Sequence, residues 1–109
     1  MRVNPPMLPD SCPTPPVRIT VLEVRAEGEP PCGYRAGDTW LVNSDETPPG
    51  ICIWALMSMA PLLVALRFSG NVPWESDGSG ATVCCSDPNN PVLFEVRRVT
   101  AEEAAAPAD

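Results

Sequence analysis

The chain has 109 residues, the size of one domain, and carries a formal net charge of −7 with no histidine. All seven of its basic residues are arginine, and an acidic chain without a basic stripe does not suit a phosphate backbone, so nucleic acid is not an expected partner. The missing residue types also exclude Ser-His and Cys-His couples, imidazole metal ligands, a lysine Schiff base and a P-loop. Chemistry is left to Cys, Asp, Glu, Tyr, Arg and backbone amides.

Residues 1–16 are dense in proline and read as an extended, disordered leader. They contain no apolar stretch of the kind a secretory signal needs, so a cytoplasmic location with reduced thiols is expected. The five cysteines, Cys12, Cys32, Cys52, Cys84 and Cys85, are odd in number, which does not suit a full disulfide framework.

Residues 17–25, VRITVLEVR, are rich in β-branched side chains and predict a first strand. Its alternation is imperfect: Val17, Ile19 and Val21 share one face and Leu22 and Val24 the other. Either both faces are covered or a bulge near Val21 changes the register. A loop with an Ala36-Gly37-Asp38 turn leads to a second strand at about 39–43.

Residues 50–68, GICIWALMSMAPLLVALRF, are the most apolar part of the chain. The uncharged run from 51 to 66 falls short of the roughly 20 residues that span a bilayer, Pro61 interrupts it, and Arg67 is the only basic residue beside it. A membrane is therefore not an expected partner, and the segment is expected to be buried. Its length favours helix over strand. Pro61 predicts two helical pieces, at about 51–59 and 61–68, with Gly70 as the stop. Ile51, Ile53, Trp54, Leu56, Met57, Met59, Leu62, Leu63, Val64 and Leu66 are expected to supply most of the core.

In the turn-rich loop that follows, Trp74 is expected to plug the core edge, the sharper alternative being a ligand lid. Residues 81–85 and 92–99 predict a hairpin around Asp-Pro-Asn-Asn-Pro, its last strand wet on one side. Residues 101–109 read as a frayed acidic tail. The expected fold is α+β in the order β-β-α-β-β: one domain over 17–100, with an antiparallel-rich sheet carrying a Pro-kinked helical unit on one face.

Several motifs occur in a telling order: Cys32-Gly33-Tyr34-Arg35-Ala36-Gly37-Asp38, then GICIWAL with a downstream proline and LVALR, then VCCSDP and FEVRRV. Over residues 17–99 this pattern resembles a family of short, cysteine-containing bacterial and archaeal proteins of uncharacterised activity. Cys32, Gly37, Asp38, Cys52, Cys85, Asp87 and Pro88 match that family's pattern. Ser86 departs from its proline, and Cys84 leaves open which of two adjacent thiols fills the third cysteine position. The resemblance implies a compact cytosolic domain and supplies no activity.

Cys32, Cys52 and Cys85 are each expected at the end of an element, where sites are commonly assembled. Were they to meet, three thiolates with Asp38 or Asp87 would suit a tetrahedral zinc or iron site, or thiol redox chemistry, although no CxxC pair is present. A second reading is a metal-free enzyme acting on a small molecule. There Cys52, in the first turn of a helix, serves as nucleophile and Asp38 or Asp87 as acid or base, with Arg35 available to an anionic substrate. A third is an interaction module, homo-oligomeric or otherwise, that pairs through a strand edge or apolar patch and merely packs its cysteines. The plain alternatives are core packing for the cysteines and turn-holding for the aspartates.

Overall fold

The structure is a computed structural model that describes residues 14–25, 33–44 and 46–105. Its elements run β1 (Val17–Val24), β2 (Thr39–Val42), α1 (Ile53–Arg67), β3 (Gly80–Cys84), β4 (Val92–Arg98) and α2 (Ala101–Ala105). The four strands form one sheet in the order β2-β1-β4-β3, antiparallel at every pairing, and α1 packs across β1, β4 and β3. This is the α+β layer arrangement that the sequence predicts. Cys12, Cys32 and most of the proline-rich leader lie outside the described residues.

Hydrophobic alternation fixes which face of the sheet is covered. Val17, Ile19 and Val21 of β1, Val92, Phe94 and Val96 of β4, and Ala81 and Val83 of β3 all bury towards α1. The irregular pattern of β1 is a bulge: Val21 pairs with Phe94 and Glu23 with Leu93, so Leu22 is the extra residue and Val24 returns to the covered face opposite Val92. Beside the bulge, the Val21 N–H donates to the Asp38 carbonyl at 2.8 Å and the Gly37 N–H donates to the Val21 carbonyl at 2.8 Å. Gly37 takes φ 95°, a conformation that favours glycine.

The opposite face is polar. On it Arg97 bonds Asp77 at 2.8 Å and Glu95 at 3.3 Å, which agrees with a wet side on the last strand.

The core is mainly the sheet's, a correction to the expectation that residues 51–66 supply most of it. From α1 only Ala55, Met59, Leu63 and Leu66 are buried, a stripe at helical spacing. A helix lying on a sheet has one covered side, and this helix is apolar on every side, so the remaining apolar residues are left facing outward. The two expected helical pieces are also one continuous helix. Pro61 and Met57, the residue whose carbonyl Pro61 leaves without its helical donor, both lie on the exposed side, where water can reach the carbonyl and the ring meets no neighbouring element.

The end of α1 is a Schellman turn. Ser69 N–H donates to Leu66 O at 3.1 Å and Gly70 N–H to Ala65 O at 2.7 Å, with Ser69 at φ 64°. Gly70 is required by proximity instead of conformation, since a Cβ there would lie 2.8 Å from the Ala65 oxygen. Arg98, reaching over from β4, donates to Leu66 O at 3.3 Å and Gly70 O at 2.7 Å, and so ties the helix end to the sheet.

Two further expectations are corrected. Val72 plugs the core edge, its N–H bonded to Gly78 O, whereas Trp74 is exposed. Residues 101–105 form α2 in place of a frayed tail, because Thr100 and Glu103 make a capping box: Glu103 N–H donates to Thr100 Oγ1 at 3.0 Å and Thr100 N–H to Glu103 Oε1 at 2.9 Å. Pro15 and Pro16, at the end of the expected leader, accept hydrogen bonds from Arg67 and from the Val99 N–H.

Candidate functional site

Cys52 lies one residue before α1, in extended conformation (φ −70°, ψ 154°) at the N-cap instead of in the first turn, and its side chain does not cap the helix. Its N–H donates to the Tyr34 hydroxyl at 2.6 Å. Tyr34 is buried, with its ring edge-on to Phe94 (centroids 5.5 Å apart) and to Trp40 (5.7 Å). Trp40 in turn donates from Nε1 to Pro49 O at 2.8 Å. The approach to the helix is thus fixed by two aromatic side chains, Tyr34 from the loop before β2 and Trp40 from β2.

Cys84 and Cys85 point to opposite faces. Cys85 is half-buried against the core, its N–H bonded to Val92 O and its Sγ 3.6 Å from Asn90 O. Cys84, paired with Leu93, is exposed on the wet face. Of the two adjacent thiols, Cys85 is thus the one on the core side. Cys52 packs against the same core cluster as Cys85, while Cys32 lies outside the described residues. Among the described residues, no three His, Cys, Asp or Glu side chains are grouped to hold a metal ion.

Asp38 and Asp87 hold turns. Asp38 Oδ2 accepts from the Arg35 N–H at 2.9 Å. Asp87 Oδ2 accepts from Asn90 Nδ2 at 3.2 Å and Oδ1 from the Asn89 N–H at 3.0 Å, and these donors hold its carboxyl below its ordinary value.

What stands out is the outward side of α1. Ile53 is 63% exposed, Trp54 64% and Met57 68%, and Val64 and Phe68 are exposed as well. Positions 53, 57, 61, 64 and 68 recur at three- and four-residue intervals, which lines them along one side of the helix. Beside this stripe a groove of about 270 Å³ runs between α1 and residues 42, 44 and 46–48; its walls include Val42, Pro48, Leu56, Leu63, Val64 and Phe68. Among the described residues its charged walls are Glu46 and Arg67, and Cys52, Cys85, Asp38 and Asp87 do not line it. The signal for this surface is present in the sequence as a helix with apolar residues on more sides than a two-layer domain can cover. No described helix is long and apolar enough to cross a membrane.

The chain matches no family model, no curated protein and no solved structure.

Proposed function

We propose that this protein is an interaction module whose docking surface is the outer side of α1 with the adjoining groove. The observation that carries this reading is the row Ile53, Trp54, Met57, Val64 and Phe68, five large apolar side chains standing in water along one helix. Scattered apolar residues are normal on a surface, whereas a contiguous row bounded by polar loops marks an interface. Trp, Met and Phe are among the residue types enriched at such interfaces. A photo-reactive phenylalanine analogue placed at Met57, with Thr82 on the wet face as control, tests it in cells producing the chain. Position 57 is expected to give a discrete adduct that Val64→Glu abolishes; equal or absent labelling at the two positions would refute the surface.

The thiol reading of Cys32, Cys52 and Cys85, with bound zinc or iron or with redox chemistry, is supported by one observation. Tyr34, two positions after Cys32 in the chain, is bonded to Cys52, and Cys85 packs on the same core as Cys52. It predicts zinc or iron in anaerobically purified protein, lost when any one of the three becomes serine. Metal-free protein whose thiols all react alike would remove it.

A further inference from the structure

We infer that the occupant of this surface is a second copy of the chain, its α1 packed antiparallel on the first about a two-fold axis. The inference rests on the reading of that side of α1 as a docking surface and adds the partner.

Three features of the helix support self-pairing. The first is symmetry. An antiparallel crossing centred between Ala60 and Pro61 sets Ile53 against Phe68 of the other copy and Met57 against Val64. Four of the five large exposed residues thereby meet an apolar side chain of the other copy, and Trp54 flanks the seam. The small Ala60 side chain at the crossing lets the axes approach to roughly the 8–10 Å of packed helices.

The second is area. Side chains of this size, each more than half exposed, present on the order of 600 Å², and with the groove wall they approach the ~800 Å² per partner of a stable interface. The third is charge. Residues 51–66 carry none, and among the described acids only Glu46 lines the adjoining groove; Glu23 and Glu95 stand on strands, Asp77 and Asp87 in loops, Glu102 and Glu103 on α2. Two copies at −7 each therefore meet through a neutral strip, and their remaining charges are screened beyond about 8–10 Å at physiological salt. A membrane surface fits less well, because apart from Arg67 at its end the helix has no basic flank for lipid headgroups.

Sedimentation equilibrium of the full chain at micromolar concentrations tests the inference. The expected mass is twice 11.7 kDa. Met57→Lys alone and Val64→Glu alone each place an unpaired charge in the interface and raise the dissociation constant on the order of 100-fold, with unchanged far-UV circular dichroism. The two substitutions in one chain restore the dimer, because each lysine then faces a glutamate across the axis; Ile53→Lys with Phe68→Glu repeats the test at the outer pair. A monomeric wild type, a dimer indifferent to Met57→Lys, or paired variants that both stay monomeric would overturn the inference. A monomer that still forms a position-57 adduct with some other protein overturns self-pairing and keeps the docking surface. A monomer with no such adduct removes both.

Discussion

Arg98 joins the last strand to the end of α1, and its replacement by methionine isolates that connection. The aliphatic part of the side chain is retained while two hydrogen bonds from a charged donor are lost, one at 2.7 Å to Gly70 O and a longer one at 3.3 Å to Leu66 O. A hydrogen bond from a charged group contributes about 1.5–3 kcal/mol. Water reaches part of this site and replaces some of the loss, and the longer bond adds little, so the net cost is about 2 kcal/mol. At roughly 4–8 °C per kcal/mol for a domain of this size, the melting temperature falls by about 8–16 °C. Urea unfolding followed by circular dichroism should show a lower midpoint with the slope unchanged, since the buried surface is the same. A loss below about 0.5 kcal/mol, the range of ordinary surface substitutions, would refute the assignment of Arg98 as the clasp on the helix end.

Ser69→Gly should stabilise the protein by about 0.5–1 kcal/mol, because serine bears a left-handed conformation there that glycine adopts without a Cβ penalty; thermal melting reads the change. Pro61→Ala should stabilise by about 1–2 kcal/mol: the restored N–H reaches the Met57 carbonyl, and the gain exceeds the extra freedom alanine gives the unfolded chain. Neutrality or destabilisation there would instead fit a helix that restarts at Pro61. Glu103 is held below its ordinary value of 4.5 by the Thr100 N–H and hydroxyl, so its contribution is fully present above about pH 4.5 and lost as pH falls through the lowered value. Glu103→Gln should remove that part of the acid sensitivity, measured as the difference in urea midpoint between neutral and acid pH.

Strands were the most legible part of the chain. Period-two burial at Val17, Ile19 and Val21 and at Val92, Phe94 and Val96 dictated both strands and the covered face, and the break in the first pattern corresponded to the Leu22 bulge. The helix was legible as an element and misleading as a core. Apolar content identifies which residues avoid water, but only a count of layers tells how many of them find cover, and here β1, β4 and β3 cover one side of α1. Pro61 suggested a break because local rules assume that a missing hydrogen bond ends a helix, whereas a carbonyl that faces solvent lets the helix carry the loss without breaking. The Thr100-x-x-Glu103 capping box was readable in the sequence and was masked by the acidic, alanine-rich composition around it. For the candidate site, Asp87 in its Asp-Pro-Asn-Asn context announced a turn-holder. Pairing Cys85 with the core in preference to Cys84 needed the register of β3 against β4, which no local pattern supplies.

Two methionines two residues apart report directly on whether the side of α1 that is bare in the isolated chain is covered in use. Met57 is 68% exposed and Met59 is 0% exposed. Brief peroxide treatment followed by mass spectrometry, applied to dilute purified protein and to intact cells producing it, should give rapid sulfoxide formation at Met57 in the dilute chain and slow formation in cells, with Met59 slow in both. Equal protection of Met57 and Met59 in the dilute chain, or equally rapid oxidation of Met57 in both settings, would contradict the account.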